Sequence, residues 1–282
     1  MANLETKVSK KNAFFYLIIK VLFHLKYLYF CKMINNSFQI HSILQIGSFH
    51  TNFCEDFLIY EPISPNIQVL AVMDGCTMGK ESMFASLIAG KILRKICKTM
   101  FYQDLIQPIS NNLENILQQI LKELFQELKH QKNRLLLETE ELLSTLIISI
   151  IDIKNQETLC LVVGDGCIYC NEKIYEYEQN NTPDYLGYHL HKNFEEWYIS
   201  QNQKIRIKDI QNIAICTDGI FSFQKQKESI IEKTEADFIK FLLSDNKDFS
   251  LPNFFEKKLR FIEQKWLYNL TDDLAIVRFS YF

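Results

Sequence analysis

Two hydrophobic periods take turns along this chain. From Gln39 to Val72 apolar residues come in short runs broken by turn formers. "FLIYEPI" and "IQVLAVM", with "SPN" (Ser64–Asn66) between them, predict a hairpin. The spacing then changes to three and four. Met83, Leu87, Ile88, Ile92, Ile96 and Met100 share one helical face, and Leu113, Ile116, Ile120, Leu124 and Leu128 share another. Strand-like text returns in "STLIISIIDI", "TLCLVVGD", "CIYC" and "KIYEYEQ", and "QETL" (Gln156–Leu159) reads as a connection. Residues 180–203 read as a loop region holding His189, His191 and Trp197. "KIRIKDI" and "NIAICTD" are further strands. Helices are expected at Glu228–Leu243 and Phe254–Trp266, and "LAIVRFSYF" is a closing strand. Strands fall in adjacent groups and do not alternate singly with helices. The order therefore predicts an α+β layered domain with antiparallel sheets, not a doubly wound parallel sheet.

The start of the chain does not share this pattern. Residues 13–31, "AFFYLIIKVLFHLKYLYFC", approach the length of a membrane span but are interrupted by Lys20, His24 and Lys26. A central lysine costs about 2.5–3.5 kcal/mol on insertion. No small-x-small cleavage site follows. Three readings stand open: an anchor, a helix docked on the domain, or a start extended upstream of Met33. The expected organisation is an apolar segment at 1–32 and one domain at 33–282.

Composition narrows the function classes. A hydrophobic fraction of 48% supports a sizeable core, and a net charge of −3 argues against a nucleic-acid partner. Most of the eight cysteines sit in apolar segments, as expected in a reducing, cytoplasmic setting. Cys167 and Cys170 form a C-x-x-C with no second pair nearby, which does not make a zinc site.

Carboxylates gather at the tips of the apolar strands. Asp74 ends "IQVLAVMD", Asp165 ends "CLVVGD" and Asp218 ends "NIAICTD", each followed by glycine. Glu55 and Asp56 precede "FLIY", and Asp272 and Asp273 precede "LAIVRF". A single Asp-Gly is ordinarily a turn. Several acids at one edge repel each other and raise each other's pKa unless a cation sits among them. Hard divalent cations want oxygen ligands, and a glycine lets a backbone carbonyl approach closely. Asp74 with the Gly75 carbonyl is therefore a candidate metal bridge.

In order, "GSFHTNFCED", "LAVMDG", "LLSTLIISIID", "CLVVGDG", "AICTDGIFSF" and "TDDLAIVRF" resemble the metal-dependent protein phosphatases, the type 2C or PPM family, over Ile46–Phe279. The resemblance implies a four-layer α-β-β-α sandwich, two antiparallel sheets flanked by helical pairs. It implies a serine/threonine protein phosphatase acting on a phosphoprotein, a monomer, in which a hydroxide bridging two Mn²⁺ or Mg²⁺ ions attacks phosphorus in line. By the same resemblance Asp74 bridges the ions, Gly75 adds its carbonyl, and Asp218 and Asp272 complete the catalytic ligands. Glu55 and Asp56 hold the second ion's shell, and Asp165 can take a third ion. Ser144 and Thr145 read as packing. Asp273 stands where the family often has asparagine and is not counted as a ligand.

Three positions depart from the family pattern. Thr51, beside His50, stands where an arginine commonly grips the phosphate, so these two are the phosphate-binding candidates. Cys76 stands where many members carry a histidine general acid, and Ser222 where an aspartate helps hold the third ion. His189 and His191 read either as a metal pair or as part of a surface loop, such as a substrate flap. The rival to an active enzyme is a binding or scaffold protein of the same fold.

Overall fold

The computed structural model describes residues 38–79, 81–110, 112–177 and 184–281. The apolar segment 1–32 lies outside the described residues. Residues Ile40–Ser280 form one unit, organised by two five-stranded sheets. The first runs β2 (Phe57–Ser64), β3 (Ile67–Met73), β4 (Leu146–Asp152), β5 (Glu157–Val163) and β8 (Lys204–Ile207) in spatial order 2-3-4-5-8. The second is built from β1 (Phe38–Gln45), β6 (Gly166–Cys170), β7 (Lys173–Tyr177), β9 (Asn212–Cys216) and β12 (Leu274–Tyr281), in order 1-12-9-6-7. β2 and β3 are the expected hairpin, antiparallel with Ile59 opposite Ala71.

Burial on both faces explains why the central strands are almost wholly apolar. Every residue of β3 and β4 is buried. Val69, Ala71, Met73, Ile148 and Ile150 pack into the core formed with α1 (Phe84–Asp104) and α2 (Leu113–Leu135). Leu70, Val72, Ile147 and Ile151 point the other way and are equally buried, because β9 of the second sheet lies across β3 and β4. Ile168, Ile215 and Val277, paired across β6, β9 and β12, fill that inter-sheet layer from the opposite side. Cys167, Ala214 and Ile276 face outward into a second core under α5 (Glu235–Ile239) and α6 (Phe254–Phe261). The four layers are thus helices, sheet, sheet, helices.

Local chemistry sets the helix ends. Asn112 caps α2, its Oδ1 accepting the Glu114 N–H at 2.9 Å. In α1 the buried stripe begins with Ala85, Ser86, Ala89 and Gly90, while Met83, Leu87 and Ile88 are half-buried. The Phe57 ring lies on Gly90, where a Cβ would stand 2.2 Å from it, while Ile92, Ile96 and Met100 of the expected face are buried. The helix expected from Glu228 starts at Glu235, where Thr234 and Asp237 form a reciprocal cap. α5 and α6 each run into a π-helical turn, Lys240–Ser244 and Ile262–Trp266. Buried Arg278 donates to the Ser244 and Asp245 carbonyls, both at 3.1 Å, at the end of the first.

Three expectations need correction. The connection before β5 is residues 153–156, held by Asp152 accepting the Asn155 N–H at 2.9 Å, and Glu157 already belongs to the strand. The expected loop region contains two short helices, α3 (Leu186–His189) and α4 (Phe194–Ser200), because Trp197 is buried against Phe125, with ring centroids 4.3 Å apart. His189 bonds Asp184 at 2.7 Å while His191 is exposed, so they form no metal pair. β10 (Phe223–Lys225) and β11 (Tyr268–Leu270) make a small extra ribbon. No helix among the described residues is long and apolar enough to cross a membrane. Every described cysteine is a free thiol.

Candidate metal centre

Asp74 sits one residue past β3, where the apolar run ends but the pairing continues. Its N–H donates to Thr145 Oγ1 at 3.0 Å, and its carbonyl accepts the Thr145 N–H at 2.9 Å. Thr145 thus fixes the backbone of Asp74 as well as packing. The Gly75 N–H donates to the Glu55 carbonyl at 3.1 Å. A Cβ on Gly75 would stand 2.3 Å from the Ser82 carbonyl oxygen, so no side chain fits there. These bonds bring the Glu55–Asp56 segment against Asp74.

Asp56 is 3% exposed. Its Oδ2 accepts the Thr217 hydroxyl at 2.6 Å, and the Thr217 oxygen accepts the Ala275 N–H at 2.9 Å. The Asp56 carboxyl lies close to the Asp74 carboxyl. Asp165 occupies the corner where the chain leaves β5 for β6. It is flanked by Gly164 (φ 94°) and Gly166 (φ 128°), in the left-handed region where side chains are disfavoured. Asp218 opens a 3₁₀ turn, Asp218–Phe221. Ser222, just after that turn, donates to the Gly219 carbonyl at 2.9 Å and accepts the Asp272 N–H at 3.0 Å, joining the segments that carry Asp218 and Asp272.

The electrostatics follow from this crowding. Burial first, then the charges of Asp218 and Asp273, pushes the Asp56 carboxyl up to about 8, against the bond from Thr217. Burial, followed by the charges of Asp56 and Asp218, holds Asp74 well above the usual carboxylate range. Burial, with Asp165 and Asp272, raises Asp218 to about 7. Burial also raises Asp165. Among the described residues no lysine or arginine forms an ion pair with these acids.

The expected residues therefore meet: Asp56, Asp74, Asp165, Asp218 and Asp272 feel one another's charge, and Glu55 lies beside them through its backbone. As they stand, no three acid, histidine or cysteine side chains among the described residues are arranged to hold a metal ion. The donor set still fits a hard divalent cation: it is all oxygen and anionic, and among the described residues no lysine or arginine is paired with it.

The phosphate-binding candidates separate. Thr51 is exposed. His50 is drawn into the acids, with Nδ1 2.9 Å from Asp273 Oδ2 and Nε2 3.4 Å from Asp272 Oδ1. Asp273, not counted as a ligand, accepts the Gly47 N–H at 2.7 Å and the Glu55 N–H at 2.5 Å, clipping the 47–55 loop to the start of β12. Cys76 is buried with Leu143 and Tyr185. Burial, with the neighbouring Cys76 and the charges of Asp74 and Asp165, pushes the Tyr185 phenol up. Sequence reasoning missed Thr217, Tyr185 and the clip at Asp273. The only local signal was adjacency to Asp218 and Asp272 for two of them.

Comparison with known proteins agrees with this architecture. A bacterial serine phosphatase bearing an arginine-to-alanine substitution superposes with a TM-score of 0.51 at 14% identity, over 86% of this chain and 97% of that one. The same phosphatase with glutamate in place of that arginine gives 0.52, also at 14%, over 86% and 98%. The RsbU and RsbW domains of a Mycobacterium tuberculosis protein give 0.51 at 14%, over 87% of this chain and 60% of that one. At such identities the likeness is one of fold. No curated protein matches. The family profile described as Protein phosphatase 2C matches residues 50–256, a span that includes Asp74, Asp165 and Asp218. Since it covers well over half of the 282 residues, this chain belongs to the protein phosphatase 2C family.

Proposed function

We propose that this protein is an active, metal-dependent serine/threonine protein phosphatase that hydrolyses phosphomonoesters of a phosphoprotein with two Mn²⁺ or Mg²⁺ ions. The observation that carries the reading is the gathering of buried Asp56 with half-buried Asp74 and Asp218, with no lysine or arginine among the described residues paired to them. Asp74, Gly75, Asp218 and Asp272 would hold the catalytic ion, Glu55 and Asp56 the second ion's shell, and Asp165 a third. When bound, such ions lower the pKa of water and offset charge on phosphoryl oxygens. The chain's own residues do the positioning. Thr217 fixes Asp56, Thr145 fixes Asp74, and Ser222 joins Asp218 to Asp272. His50, the basic side chain at the centre, would donate to a phosphoryl oxygen without the two-pronged grip of an arginine. A monomer in a reducing, cytoplasmic compartment belongs to the same proposal.

The full chain, assayed on p-nitrophenyl phosphate with Mn²⁺, with Mg²⁺ and with chelator, tests this. Turnover that needs metal and falls by about 10²-fold or more in Asp74→Asn is expected. A folded chain that binds Mn²⁺ yet hydrolyses nothing refutes it. One observation favours the second reading, a binding protein without turnover: the His50 ring already lies among carboxylates, its Nδ1 2.9 Å from Asp273 and 3.6 Å from Glu55.

A further inference from the structure

Next to the acidic centre lies a groove that the hydrolytic reading leaves without a role. It has a volume of 680 Å³ and is lined by the loop 49–55, by Thr77, and by residues 81–84 and Leu87 at the start of α1. Phe49 and Phe53 in that loop are 70% and 62% exposed. Met83, Phe84 and Leu87 contribute further apolar surface to the lining. Single exposed apolar side chains are ordinary, but two phenylalanines on one loop facing Met83, Phe84 and Leu87 across a mixed groove form an apolar binding surface with polar groups beside it.

We propose that this groove receives the residue flanking the phosphorylated serine or threonine of the substrate and selects a large apolar side chain, above all an aromatic one, at that position. The proposal rests on the phosphatase reading above and adds a specificity determinant to it.

Continuity with the centre is the first argument. His50 and Glu55 line the groove, and His50 also touches Asp272 and Asp273. An extended peptide advances roughly 3.3–3.6 Å per residue. A phosphoresidue at the acids therefore delivers its immediate neighbours into the groove. Charge is the second argument. Among the described residues lining the groove, Glu55 and Glu81 are acidic and none is lysine or arginine. An acidic flank is repelled there, while an aromatic side chain gains contact with Phe49 and Phe53. Thr51, Asn52 and Thr77 supply side-chain donors and acceptors for a peptide backbone.

The test uses the full chain and three phosphothreonine peptides identical except for phenylalanine, alanine or glutamate beside the phosphoresidue. The phenylalanine peptide is expected to exceed the alanine peptide in kcat/KM by about tenfold, and the glutamate peptide to be poorest. In Phe53→Ala, and further in Phe49→Ala/Phe53→Ala, that ratio should fall toward one while p-nitrophenyl phosphate turnover stays unchanged. Equal wild-type kcat/KM for the phenylalanine and alanine peptides, or a ratio that survives both substitutions, overturns the proposal. If p-nitrophenyl phosphate is not hydrolysed with any metal, the phosphatase reading has failed separately. Fluorescence anisotropy of the same peptides then decides the groove: tighter binding of the phenylalanine peptide that is lost in the variant sustains it, and equal binding overturns it. An unphosphorylated phenylalanine peptide that binds as tightly as the phosphorylated one also overturns it, because the groove would then act apart from the acids.

Discussion

Replacing Asp273 with alanine removes at once the two bonds its side chain makes to the 47–55 loop. The side chain is 1% exposed, and its two oxygens accept the Gly47 and Glu55 N–H groups at 2.7 and 2.5 Å. A hydrogen bond to a charged group contributes about 1.5–3 kcal/mol, and a buried donor left without a partner costs about 1–3 kcal/mol. Two such bonds lost together, with partial relaxation of the loop toward water, cost about 3–5 kcal/mol. For a domain of this size that lowers Tm on the order of 10 °C. Asp273→Asn keeps one carbonyl oxygen and turns an NH₂ group toward the other amide, so it should lose about half as much. Thermal and urea unfolding of the three proteins in chelator measures the order. Amide exchange at Gly47 and Glu55 shows whether the loop is what loosens. If Asp273→Ala costs under about 1 kcal/mol, or leaves both amides as protected as before, the clip is not what holds the loop.

Two further predictions concern the same acids. Asp56 and Asp218 bind protons more tightly folded than unfolded, being raised to about 8 and about 7. Their stabilisation is present below the ordinary carboxylate range, near pH 4, and is lost as pH rises through 7 and 8. Chelated protein should therefore have urea midpoints that fall between about pH 5 and about pH 8.5, and saturating Mn²⁺ should flatten that fall; midpoints that rise in chelator contradict the arrangement. Gly219→Ala would place a Cβ 1.8 Å from the Asp273 carbonyl oxygen, a backbone atom that has no rotamer to change. It should cost about 3 kcal/mol or more in denaturant unfolding, and a cost under about 1 kcal/mol would show that the turn yields.

The central strands were legible because burial on two faces leaves only apolar text: "IQVLAVM" matches β3 residue for residue. The acids were legible because each interrupts such text at its end, where a lone carboxylate has no packing role. The ribbon of β10 and β11 was not, since "FQK" and "YNL" are too short to show a period. α3 and α4 were missed because their order comes from Trp197 on Phe125, which is a tertiary contact between distant stretches. The Asp273 clip joins residues more than two hundred positions apart, and nothing in the local pattern marks it. Adjacent acids looked alike in sequence, and only the hydrogen bonds distinguish Asp272 beside the solvent from Asp273 inside the fold.

Asp74 closes a strand of one sheet, Asp218 and Asp272 flank strands of the other, and Asp165 stands on the crossover between them. Neither sheet alone carries a full set of oxygen donors. On the proposed two-metal reading, a cation would have nothing to template in a half-formed molecule and would bind only once the two layers have docked. A growing chain would then lack part of its donor set until Asp272 has emerged, and hydrolytic capacity would arrive last, with the closing strand.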